Sequence, residues 1–298
     1  MTQIRDTHRY RIYFIALLFV TGISLNLPVY SATSDMQGSV SVLHDDNVTR
    51  TMDSQKPQSD QSLSISISQP FVLPMSTHTR TILTGALDIA KYLDIDLLSY
   101  VSGRLQGEYQ YRSSAEFGTP TYSLFAKAAL VDYQSQNRDG MEYSVGLSMR
   151  KTITDRIRGY AAVFHHERDA YHTVFQNAYD GFLINLDYDV GSTGTLYLGG
   201  EYRDGDMAIS YPVEWTWYTL SPADATIDDT FSGWSYRVTG STQILKAGFN
   251  MPISQSSSMD VAWNMAESNA TYWTDLGKGS TTGSYTTNQY SVAYMLRF

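Results

Sequence analysis

Ten residues, Met141 to Arg150, read MEYSVGLSMR. Met141, Tyr143, Val145, Leu147 and Met149 occupy every second position, with Glu142, Ser144, Gly146, Ser148 and Arg150 between them. A helix would scatter that pattern around its circumference, whereas an extended strand gathers the five apolar residues on one face. The period recurs along the chain. Val101–Tyr111 opposes Val101, Leu105, Tyr109 and Tyr111 to Ser102, Arg104, Gln106, Glu108 and Gln110. Phe182–Val190 opposes Phe182, Ile184, Leu186, Tyr188 and Val190 to Asn185, Asp187 and Asp189, and Leu63–Ser68 is LSISIS. Met259–Met265 alternates likewise, and weaker stretches fall at Val40–Leu43, Thr79–Ala90, Tyr122–Tyr133, Ile157–His166, Thr195–Arg203 and Tyr236–Met251. With the C-terminal segment this predicts about twelve strands and an all-β chain. Between Ile244 and Leu245 the apolar phase slips, which predicts a bulge.

The connections also alternate. TITD (Thr152–Asp155), GSTG (Gly191–Gly194) and SQSSS (Ser254–Ser258) are tight and polar, while 166–181, 204–235 and 267–286 are long. A closed antiparallel meander with one trimmed rim and one elaborated rim reads this way, with 204–235 as its longest loop.

Before the strands comes a different kind of segment. Arg5, Arg9 and Arg11 precede an apolar stretch from Ile12 to Leu27, and Val29 and Ser31 supply small residues near a cut after Ser31 or Ala32. That order predicts a secretory signal peptide over 1–31, the barrel occupying 32–298; an uncleaved anchor is the alternative, for which the apolar core is short. Removing 1–31 takes away three Arg and Asp6, leaving 18 basic and 29 acidic side chains. So acidic a chain lacks the basic footprint of a nucleic-acid binder. With no cysteine, neither disulfides nor a thiolate metal site are available. No later segment reaches the run of ~20 apolar residues that a spanning helix needs.

Alternation alone does not say which face looks inward. Tyrosine, at 23 residues the dominant aromatic, clusters toward strand ends (Tyr109, Tyr111, Tyr188, Tyr202), where one end of the ring is dry and the other wet. The polar faces carry charge well inside strands: Arg80, Arg104, Lys127 and Arg150 with Asp88, Glu108, Glu142, Asp187 and Glu201. Together with export, these features predict a transmembrane antiparallel up-and-down β-barrel with the apolar face toward lipid and the charged face lining the lumen.

The chain ends NQYSVAYMLRF. Tyr290, Val292, Tyr294, Leu296 and Phe298 share one face of a strand that runs to the last atom. This resembles the C-terminal assembly signal of Gram-negative outer-membrane β-barrels, departing from it where Ala293 stands in place of a frequent glycine. The resemblance implies an outer-membrane location, with the barrel assembly machinery, membrane lipid and lipopolysaccharide as partners. HDDNVTR (His44–Arg50), NRDG (Asn137–Gly140) and YRDGD (Tyr202–Asp206) are similar to stretches in uncharacterised proteobacterial barrel proteins, a group that implies no activity.

Six His are available for chemistry. None has Ser two residues on, the pattern of outer-membrane phospholipases. Omptin-like proteases activate water with His and carboxylates at the outer rim, and His165, His166, Asp169, Asp204 and Asp206 supply those residue types. His165 and His166 would face opposite sides of a strand, and charge at a rim is also the ordinary solvated condition. Asp204-Gly205-Asp206 has too few ligands for a recognised Ca²⁺ loop, so neither metal nor cofactor is expected. Trp215 and Trp217 stand in the long loop, either as a binding surface or packed on the rim. Three functions remain open: a narrow porin-like channel for small solutes, a non-conducting accessory barrel for envelope polymer export or adhesion, and a rim hydrolase.

Overall fold

The computed structural model describes residues 35–51, 57–211, 225–231, 233–273 and 280–298. The segment read as a signal peptide, and Trp215 and Trp217, lie outside the described residues. Thirteen strands follow in order: β1 (Gln37–Asp45), β2 (Asp60–Pro74), β3 (Thr79–Tyr92), β4 (Tyr100–Arg112), β5 (Thr121–Tyr133), β6 (Gly140–Thr152), β7 (Ile157–Ala170), β8 (Asn177–Asp189), β9 (Thr195–Tyr211), β10 (Ala225–Asp228), β11 (Gly233–Pro252), β12 (Ser257–Trp273) and β13 (Ser280–Arg297). Each of β1 to β9 pairs antiparallel with the next, β9 pairs with β11, and β11, β12 and β13 continue round to β1. The ring therefore holds twelve strands, with β10 an extra strand on one end of β11. The seam runs from Gln37↔Arg297 to Asp45↔Gln289. Phe298 N donates to Met36 O at 2.9 Å, and the Phe298 ring lies over Gly38, the β1 residue that offers no side chain there.

β1 starts and β13 finishes at one end of the ring, called here the inner end. Leu63, Ile65, Ile67, Leu83, Val101, Leu105, Leu124, Val145, Leu147, Val163, Ile184, Leu198, Val261 and Val292 are exposed on the outer wall. Outward Tyr109, Tyr111, Tyr122, Tyr188 and Tyr294 flank that band toward the inner end, and Tyr143, Tyr202 and Tyr290 toward the outer. This is an inverted core. Side chains that a soluble barrel would bury form an apolar belt between two tyrosine girdles, and the closed ring satisfies the backbone behind it.

Three expectations need correction. No bulge interrupts β11: its register with β9 and with β12 is continuous, so Ile244 points into the lumen opposite Ala266 while Leu245 points out. The long links are shorter than read, because the strands overrun the apolar band: 166–181 shrinks to 171–176, and β12 and β13 leave only 274–279 between them. Within 204–235, β9 continues to Tyr211, and β10 and the start of β11 take further residues. Nor do short and long links strictly alternate, since the inner link 113–120 is longer than the outer links 93–99, 134–139 and 171–176.

Candidate functional site: the lumen and a flap across its outer mouth

Register places Arg80, Arg104, Glu108, Lys127, Glu142, Arg150, Asp187 and Glu201 all on the inner face, opposite in phase to the exposed apolar residues. Their contacts are loose or indirect for the most part. Arg104 approaches Asp88 at 3.6 Å and Glu142 approaches Arg168 at 3.6 Å. Gln110 links Arg80 (2.5 Å) to Glu108 (2.7 Å), and Glu201 holds Arg203 at 2.5 Å. Ser66 and Ser102 also donate to Asp88.

The five rim residues divide between two faces. His165 points outward and meets Asp180 at 2.9 Å. His166 points inward, where its Nδ1 lies 2.9 Å from Ser144 Oγ and its ring stacks on Tyr179. Asp169, Asp204 and Asp206 share the outward phase; Asp169 accepts from Gln176 and Asp206 from Thr239. The wall thus separates His166 from the other four, and the grouping a rim hydrolase would need is not assembled.

What the sequence reading missed is at the outer mouth. The β8–β9 ladder ends at Tyr179↔Gly205, and the β11–β12 ladder ends at Thr239↔Thr271. Above that level β9 and β11 pair only with each other, up to Trp234↔Tyr211, and β10 joins β11 through Ala225↔Tyr236 to Asp228↔Gly233. The result is a three-stranded flap that has left the wall. Gly205 and Gly240 form a register pair at its base. Gly205 has φ +149°, a conformation L side chains rarely adopt, and a Cβ on Gly240 would lie 2.2 Å from Asn269 O.

Side-chain and backbone contacts show where the flap goes. One face packs Ile209, Tyr236 and Val238 against Ala270 and Tyr285 of β12 and β13. Ala208 packs on Ala170, Val174 and Phe175 beside the 171–176 link. Ser210 N donates to Thr49 O (3.2 Å), and Thr51 Oγ1 donates to Ser210 O (3.2 Å), in the link between β1 and β2. On the opposite side, Arg138 in the link between β5 and β6 donates to Asp228 Oδ2 at 2.7 Å, and Ser135 Oγ to Asp229 Oδ1 at 2.7 Å. Asp228 also receives Ser235 Oγ, which meets Ser210 Oγ at 2.8 Å. The 46–59, 134–139 and flap segments stand a third of the ring apart from one another. Such contacts form only across the lumen.

The supporting links are themselves rigidly built. Arg50, in the left-handed region at φ 53°, folds back to chelate Asp45 through 3.0 and 2.8 Å bonds. Asn47 donates to Thr51 O (2.9 Å) and across the seam to Thr286 O (3.2 Å). Arg138 lies 4.1 Å from the Phe175 ring centre and 5.3 Å from that of Phe231. Burial pulls its pKa below the ordinary value, more than Asp228 raises it. Asp139, which accepts from Tyr133 N at 2.7 Å, is pushed up to about 7, by burial first and then by neighbouring Asp132, against that backbone bond.

Beneath the flap lies a cavity of about 400 Å³ lined by Arg50, Tyr179, Glu201, Arg203, Lys246 and Asn264 among others. A second, of about 540 Å³, opens at the inner end along Ser39, Ser66, Ser68 and Ser256.

No family model matches the chain, and no curated protein does. Among solved structures, an outer-membrane channel from Pseudomonas putida F1 superposes with a TM-score of 0.54 at 10% identity, over 92% of this chain and 100% of that one. The NanC porin gives 0.46 at 8% identity over 88% and 100%, and the KdgM porin in complex with oligogalacturonate 0.43 at 10% over 87% and 99%. At such identities the likeness is one of fold.

Proposed function

We propose that this barrel sits in an outer membrane and serves as a narrow passive channel for small polar solutes. One observation carries the reading: the charged inner wall is wet. Arg104 keeps 46% of its side chain exposed inside the ring, 3.6 Å from a partner that is itself 24% exposed. A ladder that closed the lumen would show the opposite, as the flap pair does: there Arg138 is 15% exposed and Asp228 0%, at 2.7 Å. Twelve strands lie between the eight of a side-chain-filled ring and the sixteen of an open porin, which suits a narrow aqueous path. The apolar belt, the tyrosine girdles and the signal-type N-terminus support the location. The carboxylates on the outward face of the rim would meet lipopolysaccharide headgroups, and the Phe-ending last strand would be read by the assembly machinery.

The covered outer mouth favours a second reading, a non-conducting accessory barrel. Purified protein in a planar bilayer separates the two. Discrete conductance steps are expected, and Arg104→Ala and Glu108→Ala should shift ion preference in opposite directions. A silent bilayer at high protein load overturns the channel.

A further inference from the structure

We propose that the flap formed by the upper ends of β9 and β11 with β10 is a hinged gate, swinging about the Gly205/Gly240 pair and held shut by its contacts with the 46–59, 134–139 and 171–176 links. The proposal rests on the channel reading for its purpose, though not for its motion.

The hinge is set by where the ladders stop. Below Gly205 and Gly240, β9 and β11 are each paired on both edges, so moving either would open the ring. Above them the two strands carry their mutual pairing, and β10's, with them as a unit. Apart from the Thr239↔Thr271 pair just above Gly240, the flap can leave the mouth with the twelve-stranded ladder intact. Both hinge positions are glycine, where a side chain would collide with Ala178 O or Asn269 O at 2.2 Å. Each also lies on the inner face, the side toward which the flap folds.

The closure is of a kind that water can replace. Ser210 with Thr49 and Thr51, Ser135 with Asp229, and Arg138 with Asp228 and Thr230 are hydrogen bonds at the mouth, where solvent offers substitutes at modest net cost. The apolar part packs Ile209, Tyr236 and Val238, flanked by Met207, Ala225 and Trp234, on Ala270 and Tyr285, with Ala208 on the other face. A permanent plug would be tied by ladder bonds to the wall it covers. This one is tied to its own neighbours in the flap, to three loops and, by side-chain packing, to Ala270 and Tyr285 of β12 and β13.

The chain has no cysteine, so a paired substitution is the only reactive site in it. Ser135→Cys with Asp229→Cys, joined by a short bifunctional thiosulfonate, would tie the flap to the 134–139 link and release it on reduction. Two readouts separate this proposal from the channel reading. In planar bilayers the linked barrel should lose most of its conductance and regain it with reductant; unchanged conductance on linking overturns the gate. Hydrogen exchange needs no conduction. In the unlinked barrel the Ser210 amide, which donates to Thr49 O outside the flap, should exchange at least about tenfold faster than the amides of Leu196–Arg203 in the same strand, and linking should slow it. A Ser210 amide as protected as Leu196–Arg203 and unmoved by linking overturns the gate whether or not the barrel conducts. A barrel that is silent in the bilayer but shows link-sensitive exchange keeps the moving flap and removes the channel.

Discussion

Arg138→Met should release the flap, and the structure sets how far. The guanidinium donates to Asp228 at 2.7 Å and to Thr230 Oγ1 at 3.3 Å, with Phe175 and Phe231 on its faces. Burial weakens the charged form of Arg138 more than Asp228 favours it, so the pair as a whole contributes little net stability. Its loss is another matter. Methionine keeps the stem on Phe175 but leaves Asp228, fully buried, with Thr230 N at 2.9 Å and the Ser235 hydroxyl as its donors among the described residues. Stranding one charge of a buried pair costs about 3–5 kcal/mol. At about 1.4 kcal/mol per decade, the docked flap should become roughly 10²- to 10³-fold less favoured. The flap can undock rather than unfold the barrel, so the change should appear as faster exchange of the Ser210 amide, which donates to Thr49 O only while the flap is docked, with the midpoint of barrel unfolding nearly unmoved. Arg138→Met with Asp228→Asn removes the stranded charge and should recover most of the protection. If the single variant exchanges like the parent, or the double like the single, the latch is not an ion pair whose breakage is set by desolvation.

Asp139 supplies the pH dependence. Its carboxyl is raised from 3.8 to about 7, so the neutral form is the one the 134–139 link favours; that contribution is complete at low pH and is lost as pH rises through about 7. With the intrinsic pH dependence of amide exchange divided out, flap protection should therefore fall between about pH 4 and 7 and level off above, and Asp139→Asn should flatten the profile; a corrected profile that is already flat refutes the assignment. Gly240→Val places a Cβ 2.2 Å from Asn269 O and should cost about 1–3 kcal/mol of steric overpacking, read as a lower urea midpoint of the folded barrel; an unchanged midpoint shows that the strands can part there. Ile65→Lys, on the belt, should lose about 2–4 kcal/mol of membrane stability, while Ser64→Lys, one residue away and facing the lumen, should fold with parental yield. Equal folded yields, scored by the mobility of unheated protein on gels, would invert the orientation.

The period-two pattern carried the ring because it is a one-body signal: a residue's parity fixes its face, and β6 or β8 needs no partner to announce it. Strand ends escaped for the same reason. Past the lipid band both faces of a strand are polar, and RDGDM at 203–207 no longer alternates, though β9 continues to Tyr211. Ile244 looked like a slipped phase because an apolar residue was assumed to mean lipid; it stands instead beneath the flap, where the upper lumen is partly apolar. The flap is a contact between segments a third of the ring apart, and no local pattern encodes that. Its components were nonetheless in view. HDDNVTR holds Asp45, Asn47, Thr49 and Arg50; NRDG holds Arg138 and Asp139; YRDGD holds Arg203 and the hinge Gly205. Three short motifs that said nothing singly meet at one mouth.

The inner wall also decides where water can run. On β5 to β11 large inward rings lie flat across glycines of the next strand. Phe125 and Phe164 flank Gly146, Phe164 also covers Gly181, and Tyr197 covers Gly248 while its hydroxyl reaches Asp260 at 2.8 Å. Each ring fills the space a side chain opposite would have taken, an arrangement that shields a glycine from water and keeps the aromatic out of the lumen. The facing arc needs no such device: β1 and β2 present Ser39, Ser41, Ser62, Ser64, Ser66 and Ser68, which are short. Bulk on one side is thus pressed to the wall, and on the other, beside Leu43, the inward side chains are mostly serines. An aqueous path in a ring this small would follow the serine arc, with Asp88 and Arg104 beside it, and would reach the outer mouth beneath the point where Thr49 and Thr51 hold the flap.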